Sequence, residues 1–501
     1  MGAIKSLAKD TAVYGLSSII GRFLNWLLVP LYTNIFDQSE YGVVSYIYSI
    51  VALALVILTY GMETGFFRFA NHERYSRPDE VYGTAITSLS ITSLLFMTVV
   101  TIFIFPISRF MECPDNPVFA LLMAYTVAID AYTCIPFAWL RYQHRPMRFA
   151  TLKLVGIGLN IGFNLFFLLL CPWLWENDPG LIEWFYDPDF RIGYIFLSNM
   201  LSSSVTVLLL APEAALAPWG LRLRLWREML SYSWPLLLFG IAGIMNQTIG
   251  NILLPWILPD KATAMAQLGI YGANYKIAIV MVMFIQAFRF AYEPFIFAKG
   301  KGAANGTNSN QSTAMFADTM KYFVIFSMVI FLGVMAYIDI LRHFIGSSYF
   351  SGLKVVPVLM IAEFFFGVFF NLSLWYKLTD RTIWGTWFSL IGLAVTIVML
   401  LILVPRIGYM GCAWAALGCY GVMMLTSYLL GRKKFPVPYQ TTRLSLYFIG
   451  ALAAYGLMCA LTTGHSATDM GVRTILLLIY IAVAVKCEHI TLRTLLPRRS
   501  N

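Results

Sequence analysis

Charge is what this sequence has least of. Only 12% of its 501 residues are Asp, Glu, Lys or Arg, against about 25% in an average soluble protein. That scarcity excludes a soluble enzyme and a disordered chain. The net charge of +10 does not rescue a nucleic-acid-binding reading, because the basic residues are scattered between apolar runs and gather on no one face. Cysteine is also sparse. The seven are Cys113, Cys134, Cys171, Cys412, Cys419, Cys459 and Cys487, and their spacing fits neither a disulfide framework nor a metal site. The five His lie far apart. No G-x-x-x-x-G-K-[ST] stretch occurs, so ATP binding through that loop is excluded. There is no catalytic triad and no substantial polar domain, so no enzyme and no cofactor is expected. A cleavable signal is not expected either, because the first apolar run is too long and lacks a small-residue cleavage site.

Apolar sequence is what remains. Hydrophobic residues make up 59% of the chain and aromatics 16%, with a mean hydropathy of +0.72. A membrane helix needs about 20 mostly apolar residues. About fourteen such runs can be read by that measure, from 11–35 and 42–68 at the start to 443–463 and 471–489 at the end. The runs are continuous and do not alternate, which favours helices over a membrane barrel. The expected fold class is an all-α, multi-pass membrane protein. Lys and Arg set its orientation. With Lys5 and Lys9 inside, the even-numbered loops hold clusters such as Arg141, Arg145 and Arg148, then Arg222, Arg224 and Arg227, then Arg432, Lys433 and Lys434. Roughly three times as many basic residues fall on that side as on the other. Both termini are therefore expected in the cytoplasm.

The chain reads as a duplication. Tyr41-Gly42-Val43-Val44-Ser45-Tyr46-Ile47-Tyr48-Ser49-Ile50 aligns with Leu268-Gly269-Ile270-Tyr271-Gly272-Ala273-Asn274-Tyr275-Lys276-Ile277, where Gly, Tyr and Ile coincide, and Pro30 matches Pro255 a short way upstream. A shift of six helices keeps orientation, so the repeat is parallel. The expected organisation is two six-helix lobes, 1–216 and 229–432, joined by a basic linker at 217–228. An extra helix pair and a cytoplasmic tail follow at 433–501. Pro30 and Pro255 are expected bends. The Gly, Asn and Ser residues of 299–312 read as a connector. The segment 172–191 mixes Glu176, Asp178, Glu183, Asp187 and Asp189 with Trp173, Trp175, Trp184 and Tyr186. It fits an interfacial aromatic belt or a lid for a sugar. Gly158 and Gly162, and likewise Gly408, Gly411, Gly418 and Gly421, are expected to permit close helix packing.

Charged residues inside the runs are the informative minority, since each costs about 2.5–3.5 kcal/mol at the bilayer centre. Arg22, Lys276, Asp130 and Glu363 lie nearest mid-span. Lys153 is about one turn in, and Arg68, Arg289, Glu293, Lys321 and Lys486 lie near the ends, where long side chains snorkel. Arg22, Asn25 and Trp26 share one helix face. Lys153, Asn160 and Asn164 form a polar stripe on another helix, and Asn274, Lys276, Gln286 and Arg289 recur on a third. Such residues either line a cationic cavity or glue helices together. A cavity holding Arg22, Asn25, Arg68, Lys153, Lys276 and Arg289 would suit an anion, because Arg donates two hydrogen bonds to a phosphate at once. Glu63, Asp130 and Glu363 would carry a coupling proton or Na⁺, or form structural salt pairs.

The opening of the chain carries a resemblance. Tyr14-Gly15-Leu16, Gly21-Arg22-Phe23-Leu24, Leu28-Val29-Pro30-Leu31-Tyr32-Thr33, Gln38-Ser39-Glu40-Tyr41-Gly42 and Tyr60-Gly61-Met62-Glu63-Thr64-Gly65-Phe66-Phe67-Arg68-Phe69 resemble the polysaccharide biosynthesis (Wzx-type) flippases. These belong to the multidrug/oligosaccharidyl-lipid/polysaccharide exporter superfamily. The resemblance implies a V-shaped, two-lobed bundle in the bacterial inner membrane that works by alternating access. It implies transfer of undecaprenyl-diphosphate-linked sugar units, with membrane lipid and a polymerase or other assembly proteins as partners and a monomer as the transport unit. Arg22 and Lys276 would hold the diphosphate, and Arg68 and Arg289 would receive it. Drug exporters of the superfamily place an Asp in the first helix, and this helix has Arg22 and Asn25 instead. A multidrug antiporter and a peptidoglycan-precursor flippase are the alternatives.

Overall fold

The computed structural model describes residues 2–72, 77–304, 309–379, 381, 383–461 and 466–488. The side chains of 2–12, 18, 291, 293–312, 466 and 467 lie outside that description. The side chains of Lys5, Lys9 and Glu293 therefore fall beyond it, as do Arg74 and the C-terminal tail from 489 on. The expected 299–312 connector is corrected: 299–304 continue one helix, 309–312 begin the next, and 305–308 lie outside the described residues. Every regular element among the described residues is helical.

In chain order the helices begin with α1 (Gly2–Trp26), α2 (Val29–Ile35), α3 (Gln38–Thr59), α4 (Met62–Ala70), α5 (Pro78–Ile102), α6 (Ile104–Phe110) and α7 (Pro117–Tyr142). Then come α8 (Pro146–Leu165), α9 (Cys171–Asn177), α10 (Gly193–Leu209), α11 (Ala211–Ala215), α12 (Leu223–Ile257), α13 (Lys261–Ala304) and α14 (Ser309–Ala336). The last are α15 (Ile338–Leu341), α16 (Val355–Leu372), α17 (Leu374–Leu378), α18 (Ile383–Ile407), α19 (Met410–Lys434), α20 (Thr441–Ala460) and α21 (Ser466–Cys487). Among the described residues 12 helices are long and apolar enough to cross a membrane, and Gly193–Leu209 is a shorter apolar helix.

Local chemistry explains the starts. Asp37 accepts from the Glu40 amide at 2.8 Å while Glu40 accepts from the Asp37 amide at 3.1 Å. This reciprocal cap fixes where α3 begins. Proline stands in the first turn of α5, α7 and α8, where its missing N–H costs nothing. Two expected continuous runs are interrupted. The first breaks at Leu27–Leu28, which places Pro30 in the first turn of α2. The second breaks at Tyr60 and Gly61, both with positive φ, 35° and 69°. Pro255 lies inside α12, which continues through it to Ile257.

The chain forms two compact units: 1–273 with 396–415, and 274–395 with 416–501. In the first, α7 packs on α3, α5 and α10, α8 on α1 and α10, and α3 on α12. Phe66, Tyr82 and Trp139 form its aromatic centre, the last two stacked at 4.5 Å. In the second, α14 packs on α16, α20 and α21. Trp375, Tyr376, Phe388 and Tyr420 fill another core there.

The expectation for Gly158 and Gly162 needs correcting, while close packing does occur at Gly408 and Gly411. A Cβ on Gly158 or Gly162 would meet nothing within 4 Å. Close packing of α8 falls instead at Gly156, where a Cβ would stand 2.7 Å from Thr206 Oγ1, and at Ile157, which would collide with one on Gly21 of α1. Periodicity showed that the Gly158–Gly162 face was small but not that a neighbour covers the adjacent one. Gly408 is a left-handed turn residue (φ 57°) between α18 and α19, and Gly411 comes close to the backbone of Val404.

Candidate functional site

The break at Tyr60–Gly61 builds the centre of the first unit. The Tyr60 amide closes α3 on the Val56 carbonyl, and its hydroxyl lies 2.6 Å from Ser88 Oγ. The chain restarts as α4 with Glu63 in the first turn, where free amides favour an anion. Glu63 is ion-paired with Arg141 from the last turn of α7. The Arg141 guanidinium lies 5.0 Å from the Phe67 ring and 5.7 Å from Phe149. Lys153, exposed on α8, holds its ammonium 3.9 Å from the Phe137 ring, and the charges of Asp130, Glu63 and Arg141 act on it. Asp130 accepts from Ser203 Oγ at 2.8 Å. Three predicted residues, Glu63, Asp130 and Lys153, thus belong to one cluster.

Its fourth member, Arg141, was not among the candidates. Its neighbours Arg145 and Arg148 mark a basic loop, and an apolar run ending at 140 stops one residue short of it. Its place inside α7 comes from the helix continuing to Tyr142. Hydropathy cannot register that continuation.

A second polar network joins α1, α2 and α8. Asn160 donates to Asn25 Oδ1 at 3.4 Å, Asn164 donates to Asn160 Oδ1 at 3.1 Å, and Tyr32 donates to Asn164 Oδ1 at 2.8 Å. The Asn25 face and the Asn160–Asn164 stripe therefore face each other. Arg22 is exposed on α1, one turn before Asn25. The Arg68 guanidinium lies 4.1 Å from the Tyr232 ring.

In the second unit Lys276 is half-buried on α13, beside Tyr275. Tyr275 donates to Glu363 Oε1 at 3.0 Å, and Glu363 is buried on α16. Arg289 and Lys377 both lie 4.4 Å from the Phe370 ring. Cations on aromatic faces recur at Arg68, Lys153 and Arg289, an arrangement that holds charge in a partly dry setting. Lys321, buried on α14, pairs with Glu488 at 2.7 Å and with Asp318 at 3.3 Å. Arg22 and Lys276 belong to different units. In the 172–191 segment Trp184 is 82% exposed, while Tyr186 is buried against Tyr194.

The chain belongs to the polysaccharide biosynthesis protein family, which matches residues 7–297. Its fold is similar to those of solved transporter structures. A structure described as lipid II flippase MurJ, inward closed conformation, superposes with a TM-score of 0.71 at 12% identity. That match covers 95% of this chain and 99% of the other. The inward-facing form of a multidrug resistance MATE transporter gives 0.62 at 14% identity over 85% and 97% of the chains. The outward-facing form gives 0.57 at 14% over 85% and 95%. No curated protein sequence matches the chain significantly.

Proposed function

We propose that this protein is a flippase that moves undecaprenyl-diphosphate-linked oligosaccharide repeat units across the bacterial cytoplasmic membrane. It does so by alternating access, for surface polysaccharide synthesis, with both termini in the cytoplasm. The observation that carries the reading is a set of exposed or half-exposed cations kept inside apolar helices in a member of the polysaccharide biosynthesis family. Lipid-facing charge is costly, so cations kept at Arg22, Arg68, Lys153, Lys276 and Arg289 inside apolar helices suit an anionic cargo. A diphosphate is such a cargo. In this reading Arg22, with Asn25 beside it, and Lys276 hold the phosphates, and Arg68 and Arg289 receive them. Glu63, Asp130 and Glu363 are the groups for a coupling proton or Na⁺. Membrane lipid and the polymerase are its partners, and one chain is the transport unit.

Deleting the gene is the test. Surface polymer should stop and lipid-linked units should accumulate on the inner face. Normal polymer in the deletion strain overturns the reading. The likeness to a lipid II flippase favours one second reading, transport of the peptidoglycan precursor. Rescue of a strain depleted of its precursor flippase would select that reading.

A further inference from the structure

Glu63 and Arg141 form the ion pair of the first unit's cluster, and it leaves part of the Arg141 fork unused. Arg141 gives only Nη2 to Glu63; its Nε is buried and donates to no partner among the described residues. Arg–carboxylate pairs are frequently bidentate, and here the Nε side of the fork is left over. The two side chains are also 31% and 41% exposed, so the contact is open to a competitor. Lys153 stands beside it: its ammonium lies on the Phe137 ring, and that ring packs edge-on at 5.4 Å against the Phe149 ring that Arg141 also faces. Two cations are thus served by one monodentate carboxylate and by Asp130, whose Oδ1 is already engaged by Ser203. A diphosphate has what this arrangement lacks: oxygens enough for both nitrogens of the Arg141 fork and for Lys153, with more than one negative charge.

We propose that Glu63 is a displaceable internal counter-ion, and that Arg141 and Lys153 form a diphosphate subsite which Glu63 occupies until substrate takes its place. The exchange makes and breaks no covalent bond. The carboxylate leaves Arg141, one phosphate oxygen pair enters the Nε–Nη2 fork, and Lys153 turns from the Phe137 ring to the second phosphate. Glu63 can withdraw by rotating its own side chain, which is 41% exposed at the start of α4, while Met62 and Phe66 keep the helix in place. A site that carries its own counter-ion keeps two cations tolerable in the membrane between loads. This inference rests on the flippase reading and adds to it the residue that competes with the substrate.

The test uses the full-length protein in detergent with two probes, inorganic pyrophosphate and farnesyl diphosphate, each read by binding affinity and by melting temperature. Removing the competitor with Glu63→Gln should tighten both probes about tenfold, since a competent site is no longer discounted by its occupied fraction. Arg141→Gln and Lys153→Gln should each weaken both about tenfold, the loss of one charge-assisted contact. Glu63→Asp, which keeps the charge on a shorter arm, serves if the Gln variant fails to fold and should give a smaller gain. A merely structural pair would lower the melting temperature of Glu63→Gln without tightening either probe, and that result overturns the inference. A gain confined to farnesyl diphosphate also overturns it, because the subsite touches phosphate alone. If Arg22→Gln and Lys276→Gln weaken binding while the Glu63, Arg141 and Lys153 variants do not, this inference fails and the flippase reading stands. If neither probe binds the wild-type protein, the diphosphate reading fails with it.

Discussion

Gly42 of α3 and Gly269 of α13 meet in a reciprocal contact. A Cβ on Gly42 would collide with the Met265 carbonyl, and one on Gly269 would collide with the Gln38 carbonyl. These are the two glycines that the repeat alignment pairs. Each obstacle is backbone, so neither can turn aside as a side chain would. Gly42→Ala and Gly269→Ala should each destabilise the protein by about 1–3 kcal/mol, the usual cost of overpacking. Gly162→Ala, whose added Cβ meets open space, should instead stabilise by about 0.5–1 kcal/mol through helix propensity. Melting temperatures in detergent separate the two classes. Equal behaviour of Gly42→Ala and Gly162→Ala would contradict the packing described.

The contrast between these glycines shows what a sequence can carry. Hydropathy gives the long apolar helices because burial in lipid is a property of each run by itself. The polar faces were legible for the same reason: Asn25 and the Asn160–Asn164 stripe are set by helical spacing, and the structure places them against each other. Which small residue takes the close contact depends on a partner helix, so Gly156 and Gly21 could not be told from Gly158 and Gly162. Arg141 was hidden by its basic neighbours. The Tyr60–Gly61 break was hidden because an apolar run continues through it, and a left-handed Tyr leaves no compositional mark.

Arg22 and Lys276 bear the proposed diphosphate contact, and each should be needed by itself. Arg22→Ala and Lys276→Ala should each lower transport ten- to a hundredfold, corresponding to about 1.5–3 kcal/mol for a hydrogen bond to a charged group. Arg22 is exposed and Lys276 half-buried, so membrane insertion should be unchanged. Surface polymer in a complemented deletion strain, normalised to protein in the membrane, is the measurement. Wild-type rates in both variants would remove the cationic site.

Glu363 is the carboxylate most withdrawn from solvent among the candidates, 5% exposed, with the Tyr275 hydroxyl on its Oε1. Glu363→Gln keeps an oxygen to accept that bond and removes the ionisable group. If Glu363 carries the coupling ion, the variant should melt within about 1 kcal/mol of wild type, yet transport should no longer respond when a proton or sodium gradient is collapsed. Asp130→Asn is the parallel variant in the first unit. Unchanged gradient dependence in both would assign both carboxylates to structure.

Lys321 and Glu488 tie α14 to the end of α21 through a pair whose side chains are only 11% and 5% exposed. Tyr447 adds a donor to Glu488 at 2.8 Å. Breaking one side of such a pair leaves a charge in a poorly hydrated place, so Glu488→Gln should cost up to about 3 kcal/mol, with Asp318 sparing part of it. Replacing both partners by apolar residues, Lys321→Met with Glu488→Leu, should cost less than the single change. Acid should act in the same direction. Burial pushes the Glu488 carboxyl up, but Lys321 and Tyr447 outweigh it and hold the group below the usual glutamate range. A carboxyl lowered on folding contributes stability above its unfolded pKa of about 4.3, and that stability is lost as pH falls through the folded value. The wild-type melting temperature should therefore drop on acidification below about pH 4.3, and the Glu488→Gln protein should lose less over the same interval. Parallel acid slopes for the two proteins would show that the pair does not hold the C-terminal helices in place.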